Sequence, residues 1–281
     1  MHRLQLGDIE IVHIDAGRFR LDGGAMFGVV PKPLWEIQAP PDAFNRIEMA
    51  CNCLLICDRN DLTLIDTGPG DRFSAKEQEF FDFDPHIRLS TSLTEAGFRP
   101  EQVTQVVLTH LHFDHAGGTL CQTANGIEPT FPRAAYVVQQ GEWDDAIQGR
   151  STMRSSYRPD DLKILQSSGQ LRFIRGNVEL GSGMSTFVTG GHTEHHQGII
   201  IRAGGRTLAY PADLIPTRPH LRPYWNMAYD MFPYQTLMRK REFMQQACEQ
   251  NWIVAWDHDL QKLWSKLHLE KSNYVARDLD S

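Results

Sequence analysis

Several things are scarce in this 281-residue chain, and each absence narrows what it does. Cysteine is one. There are 5, an odd number scattered along the sequence, and that does not make a disulfide framework. Cys51-Asn52-Cys53 has the close spacing of half a zinc site, but no second pair answers it. It falls in the apolar run from Cys51 to Cys57, so both thiols read as buried strand residues. No apolar run approaches the roughly 18 residues of a membrane span. The start, Met1-His2-Arg3-Leu4-Gln5-Leu6-Gly7-Asp8, lacks the apolar core of a secretory signal, and a cytoplasmic location is the expectation. Positive charge is also short: 28 Lys and Arg stand against 35 Asp and Glu, for a formal charge of -7. With no basic stretch to neutralise phosphates, a nucleic-acid partner is not expected. There is no internal repeat, low-complexity tract or linker, so one domain over residues 1–281 is the simplest organisation.

What remains is ordinary globular material, 41% apolar and 22% charged, with one unusual stretch. The apolar run Val103-Thr104-Gln105-Val106-Val107-Leu108 leads directly into Thr109-His110-Leu111-His112-Phe113-Asp114-His115. A β-branched run ending in a burst of ligand side chains reads as a buried strand delivering them to a loop at its C-terminal end. His110 and His112 are two apart, so on extended backbone they point the same way and can grip one ion. Asp114 and His115 lie past the turn and face a neighbouring position. Ala116-Gly117-Gly118 then lets the backbone pass close to the site.

The rest of the chain repeats that logic. Leu4 to Ile14 alternates as one or two opening strands turning at Gly7-Asp8. Residues 22–45 read as a long loop, too apolar for disorder, either packed on the core or arching over a pocket. Cys53 to Cys57 and Leu62 to Ile65 form a hairpin about Arg59-Asn60-Asp61, ending in Asp66-Thr67-Gly68. A helix closes at Gly97, a strand runs Ala134 to Gln139, and helices cover Glu142 to Gln148 and Asp160 to Gln166. Short strands at Leu171 to Ile174 and Ser185 to Val188 follow, the second ending in Thr189-Gly190-Gly191-His192-Thr193. A Gly204-Gly205 hairpin ends at Asp213. A helix over Tyr234 to Gln250 precedes the strand Trp252 to Trp256, which ends in Asp257-His258.

Strand after strand therefore ends in a candidate ligand, and strand ends of one sandwich meet along one edge of the fold. The set is His110, His112, Asp114, His115, His192, Asp213 and His258: five imidazoles, two carboxylates and no thiolate. Nitrogen and oxygen donors of this kind suit Zn first, with Mn, Fe or Co as alternatives, and seven are too many for one tetrahedral ion. Two divalent ions sharing a carboxylate use them all.

These motifs, in this order, resemble the metallo-β-lactamase-fold hydrolases over nearly the whole length. The carrying segments are Leu62-Thr63-Leu64-Ile65-Asp66-Thr67-Gly68, Thr109 to Gly118, Gly191-His192-Thr193, Asp213 and His258. The resemblance implies an α/β fold, a four-layer αβ/βα sandwich. It also implies that His110, His112 and His192 hold one metal, Asp114, His115 and His258 the other, and that Asp213 bridges them. Asp66 would orient a ligand histidine by accepting its other N–H. His196 falls where the family often has a second histidine and reads as structural support, with His195 exposed.

Within that superfamily, the common β-lactamases carry Cys where this chain has Asp213, and flavodiiron proteins carry Glu in place of His112. Glyoxalase II adds a basic, helical glutathione-binding tail, whereas residues 260–281 here are short. A ribonuclease Z would need a basic RNA surface. The chain is most similar to quorum-quenching N-acyl-homoserine lactonases, the YtnP-like group, and their methyl parathion hydrolase relatives. That similarity is carried by Gly23 to Lys32, Leu34-Trp35, Asn45-Arg46-Ile47, Asp213 to Thr217, His220, Trp225 and Tyr229-Asp230. It implies a lactone or ester as small-molecule substrate, opened by a hydroxide held between two metals, with Asp213 and Asp114 as the candidates for relaying the proton to the leaving oxygen. Phosphotriester or glutathione-thioester hydrolysis is the alternative. Met26, Phe27, Val29 and Trp35, facing Tyr224, Trp225 and Met227, would line an acyl groove. Some lactonases place a substrate-binding Tyr soon after the bridging Asp. Here Leu214, Ile215 and Pro216 follow, so His220, Tyr224 or Tyr229 takes that place, and spacing does not choose among them. The apolar arm from Met26 to Trp35 offers a homodimer contact instead.

Overall fold

The computed structural model describes residues 2–59 and 61–279, so Asn60 of the expected hairpin turn lies outside the described residues, as do Met1, Asp280 and Ser281. The opening strands are β1 (Arg3–Leu6) and β2 (Ile9–Asp22). Residues 22–45 are less loop-like than their Gly and Pro content predicts. Asp22 caps α1 (Gly23–Phe27) by accepting from Ala25 N, and Pro33 sits in the first turn of α2 (Lys32–Trp35).

The first sheet continues through β3 (Arg46–Asp58) and β4 (Asp61–Ile65). β2 and β3 pair antiparallel from Glu10 opposite Cys57 to Asp22 opposite Arg46, with a bulge between Asp15 and Arg18. Helices α3 (Ala75–Phe81) and α4 (Leu89–Glu95) precede β5 (Gln105–Val107). Helix α3 adds to those expected from sequence, and Ser74 and Glu77 form a complete capping box at its start. After α5 (Phe113–Ala116), β6 (Leu120–Thr123) and β7 (Gly126–Pro129) make a separate hairpin. β8 (Ala135–Gln139), α6 (Gln140–Gln148), α7 (Pro159–Ser167) and β9 (Leu171–Ile174) follow. The sheet order is β1-β2-β3-β4-β5-β8-β9, with β4, β5, β8 and β9 parallel.

The second sheet runs in chain order: β10 (Glu179–Gly181), β11 (Met184–Val188), β12 (Gln197–Ala203), β13 (Arg206–Tyr210), β14 (Ile253–Ala255), β15 (Trp264–Glu270) and β16 (Asn273–Arg277). Helix α8 (Pro233–Glu249) makes the crossover that lets β13 and β14 lie parallel. The last two strands occupy a tail that carried no clear sequence signal.

Strand alternation sorts the apolar side chains into three layers. On β3, Cys51, Cys53 and Leu55 face a core shared with Leu93 of α4, Trp143 of α6 and Leu165 of α7. The intervening Leu54 and Ile56 face the other sheet and meet Ile199, Ile201, Leu208 and Ile253 between the sheets. On the far side, Ile200 and Val254 pack on Phe243, Met244 and Ala247 of α8. Helix, sheet, sheet and helix thus stack as the αβ/βα sandwich expected. Among the described residues, no helix is long and apolar enough to cross a membrane.

Candidate metal centre

One edge of the sandwich collects the polar ends of β4, β5, β11, β13 and β14. Each strand is apolar until it leaves the sheet, and the first residues beyond it are the ligand candidates. Asp66 follows β4 in a left-handed conformation, φ 56°. That turn aims its carboxylate back across the sheet, where it accepts from Thr109 N at 2.8 Å, from Thr109 Oγ1 at 2.8 Å and from His115 Nδ1 at 2.9 Å. It therefore supports the ligand loop rather than entering the site.

His115 turns Nε2 inward because Nδ1 is engaged by Asp66. The same device recurs twice. His192 Nδ1 lies 3.1 Å from Asp230 Oδ1, and His258 Nδ1 lies 2.6 Å from the carbonyl of Ala50. With Nδ1–H donated outward, each of these rings presents the Nε2 lone pair to the interior. Gly191 makes the approach of His192 possible: φ is 90°, and a Cβ there would fall 2.4 Å from Thr236 Oγ1.

Two groups of donors result. His110, His112, His192 and Asp213 place one donor atom each within 4.8 Å of one another. His192 Nε2 and His112 Nδ1 are 3.0 Å apart, and His192 Nε2 and Asp213 Oδ2 are also 3.0 Å apart. The second group is His115, His258, Asp213 and Asp257. There, His115 Nε2 and His258 Nε2 are 3.2 Å apart, and Asp213 Oδ1 is 3.2 Å from His258 Nε2. Asp114 Oδ2 borders this group, 3.6 Å from His258 Nε2 and 3.8 Å from His115 Nε2. All eight side chains are buried, and Asp213 belongs to both groups.

These separations fit cations. Donors around a tetrahedral zinc at about 2.0–2.1 Å stand roughly 3.3 Å apart. The orphaned atoms say the same. His110 Nε2, Asp213 Oδ1 and both carboxylate oxygens of Asp257 are buried without a hydrogen-bond partner, an arrangement interiors avoid unless a ligand completes it. Burial works against charge at Asp213, yet His192, His115 and His258 hold its carboxyl well below the usual range. Burial likewise opposes charging His192, but Asp213 and Asp230 outweigh it and push the ring up to about 10. At His110 and His112 burial prevails, followed by the neighbouring imidazoles, and both rings sit well below their ordinary value.

The seven expected ligands thus come together. The expected substrate contacts do not form one surface. Met26, Phe27 and Trp35 are each 1% exposed and belong to the core. His220 is buried with both ring nitrogens engaged, Nδ1 with Thr217 Oγ1 at 2.6 Å and Nε2 with the Met26 carbonyl at 2.8 Å. Its ring stacks on Phe27 at 4.8 Å. Trp225 and Met227 are buried as well, while Val29 is exposed. Tyr224 is exposed and its hydroxyl accepts from Arg241. Tyr229 is half-buried. Burial, with the Asp22 and Asp114 carboxylates nearby, pushes its hydroxyl up to about 12. His196 is buried with Nδ1 2.6 Å from Thr189 Oγ1, and His195, expected to be exposed, is half-buried near Asp145.

Three residues outside the expected set shape the centre. Glu142 on α6 links the two ligand loops, Asp230 holds His192, and Asp257 reaches the second group. Asp257 had a visible signal, since it directly precedes His258 at a strand end. Glu142 had none beyond being a carboxylate, because the ligand-loop groups it binds are 31 and 51 residues away. Asp230 stood out only in the Tyr229-Asp230 pair, with no signal of its bond to His192, 38 residues away.

A sequence profile of the metallo-beta-lactamase superfamily matches residues 46–247. The N-acyl homoserine lactonase of Bacillus cereus is 30% identical over 115 residues, which are 41% of this chain and 39% of that protein. The chain thus aligns with about two fifths of the length of that relative. A probable metal-dependent hydrolase from Staphylococcus aureus superposes with a TM-score of 0.89 at 30% identity, covering 99% of this chain and 100% of the other. AidC, a dizinc quorum-quenching lactonase in complex with a product, superposes at 0.81 with 22% identity, covering 100% and 97%. With its candidate ligands at the strand ends and the profile spanning most of its length, the chain belongs to the metallo-beta-lactamase superfamily.

Proposed function

We propose that the chain, residues 1–281 acting as one domain, is a dinuclear metal-dependent hydrolase that opens lactone rings, with N-acyl-homoserine lactones as the substrate class. The observation that carries this reading is that Asp213 is common to two donor groups, each with at least two imidazoles. His110, His112 and His192 with Asp213 would hold one ion. His115, His258 and Asp114 with Asp213 would hold the other, and Asp66 fixes His115. The imidazole and carboxylate donors of this set suit zinc, or Mn, Fe or Co. Bound divalent ions would polarise the lactone carbonyl and lower the pKa of the attacking water.

The chain's own groups do the rest. Asp213, common to both donor groups, would take a proton from the attacking water and return it to the ring oxygen as the C–O bond breaks. Asp114 stands beside the second group in a position to assist. Of the three candidates for a substrate-binding side chain, His220 has both nitrogens engaged, and Tyr224 is exposed and bound by Arg241. Tyr229, close enough to Asp114 to feel its charge, is the one left to contact substrate. Met26, Phe27 and Trp35 act behind it as scaffold. The similarity to the Bacillus cereus lactonase supports the substrate class. The exposed Val29 and Leu34 on the Met26–Trp35 arm support a homodimer contact there.

Metal content measured by elemental analysis, beside hydrolysis of short- and long-chain acyl-homoserine lactones and an aryl phosphotriester, tests the reading. Near two ions per chain and fast, chelator-sensitive ring opening are expected. Two ions with no lactone turnover would overturn the substrate class, and no bound metal would overturn the whole reading.

A further inference from the structure

The second donor group holds a carboxylate that the family resemblance does not account for. Asp257 follows β14 and directly precedes His258, and its Oδ2 lies 3.6 Å from His258 Nε2. A donor oxygen of Asp257 is within 4.8 Å of donor atoms on His115, His258 and Asp213. Its side chain is 2% exposed.

The backbone around it is tied down. Asn52 N donates to the Asp257 carbonyl at 2.8 Å, and Asn52 Nδ2 donates to the carbonyls of Trp256 at 3.0 Å and Asp259 at 2.9 Å. The Asn52 side chain is itself held by His13 Nε2 at 2.9 Å. These bonds satisfy main-chain groups on both sides of Asp257 and leave its carboxylate with no donor at either oxygen. A carboxylate buried beside a second one, Asp213, and lacking any donor is among the least favourable groups an interior can hold. A cation against those oxygens removes the difficulty.

We infer that Asp257 is a further ligand of the second metal ion, joining Asp114, Asp213, His115 and His258. The inference rests on the two-ion reading and extends it. The two positions then differ in kind. The first is rich in nitrogen, with three imidazoles and one shared carboxylate. The second has two imidazoles and three carboxylates, an oxygen-rich and more negative set that suits a harder ion such as Mn²⁺ or Fe²⁺ better than the first does.

Equilibrium metal titration of the whole protein tests this, using Zn²⁺ and Mn²⁺ separately with a competing chelator and elemental analysis. Wild type is expected to take two ions. Asp257→Asn keeps the shape of the side chain and should bind the first ion as wild type does, with affinity for the second lower by about tenfold or more. The Mn²⁺ preference of the second position should fall with it. Two ions bound with wild-type affinities in D257N would overturn the inference and leave the two-ion reading standing. A wild type that binds no metal would overturn both. A crystal structure of the zinc-loaded wild type decides the matter should D257N not fold. An Asp257 oxygen about 2.0–2.2 Å from the second ion supports the assignment, and an Asp257 carboxylate turned away from that ion overturns it.

Discussion

The Glu142 carboxylate on α6 accepts the hydroxyl proton of Thr193 at 2.6 Å, bridging from a helix of the first layer to the loop that follows His192. Its other oxygen accepts from Leu111 N at 3.0 Å, between His110 and His112, and from Tyr157 Oη at 3.2 Å. One buried side chain thereby sets the distance between two ligand loops. Burial pushes its carboxyl up, while these three donors work in the opposite direction. Glu142→Ala would strand three buried donors, and losses of about 1–3 kcal/mol attend each such group. The expected result is a thermal unfolding midpoint several degrees lower and a weaker first ion. An unchanged midpoint would show that the loops hold their spacing without it.

Asp230 acts on one ligand only. Its Oδ1 takes the Nδ1 proton of His192, and its Oδ2 is buried without a partner. Partners of this kind to a metal-bound imidazole typically carry a 10–100-fold effect on metal affinity. Asp230→Ala should lower affinity for the first ion by about that factor and leave the second, which does not involve His192, close to wild type. Chelator competition on the purified variant measures both.

Much of the centre was legible because its ligands obey a local rule: an apolar strand ends and a ligand follows. His110, His192, Asp213 and His258 are of this type, Asp66 follows β4 in the same way to hold His115, and their strand-end positions set them on one edge. The four layers came from the family resemblance, and in the structure Cys53 and Leu54 face the opposite sides of the first sheet that this arrangement requires. The arm over residues 22–45 misled because seven of its 24 residues are Gly or Pro, yet Asp22 and Pro33 start two short helices there. Met26, Phe27 and Trp35 looked like groove lining because apolar side chains in a loop suggest a ligand. Whether such side chains face a ligand or one another depends on His220, which stacks on Phe27 and bonds the carbonyl of Met26, 194 residues away. Supporting carboxylates such as Glu142 are invisible for a related reason. Their meaning lies wholly in partners that only the fold brings near.

Lys240 gives a pH test that is independent of the metal ligands. It is 1% exposed on α8, donates from Nζ to the Trp225 carbonyl at 2.8 Å, and is pushed down by burial to about 7, with Asp230 working the other way. The unfolded side chain keeps its ordinary value of 10.5. Between pH 7 and 10.5 the unfolded chain therefore binds the extra proton, so this residue's contribution to stability rises with pH across that window. Below pH 7 both states are protonated and the penalty of a buried charge is fully present. Lys240→Met removes that dependence. The midpoint difference, wild type minus K240M, should grow more positive from pH 7 to 10 at fixed metal loading. A difference that stays flat would mean the lysine is not neutralised on folding.

Phe27→Ala separates scaffold from groove. Phe27 stacks between Trp35, at 5.4 Å and 14°, and His220, at 4.8 Å and 4°, with Trp225 edge-on at 5.6 Å. Deleting a buried phenyl ring from such a stack typically costs about 3–5 kcal/mol, so the variant should lose stability steeply in denaturant titration. Its effect on substrate follows from where the ring points. A groove-lining phenyl would contact the distal acyl carbons, and its removal would lower kcat/KM for a long-chain lactone far more than for a short one. A ring that only braces His220 and the loop leading to Tyr229 touches no acyl carbon, so its loss should lower both rates by the same factor. The ratio of long- to short-chain kcat/KM in F27A, compared with wild type at a temperature where both are folded, is therefore expected to be unchanged. A selective loss on the long chain would return Phe27 to the substrate surface and require the 23–45 arm to open during binding.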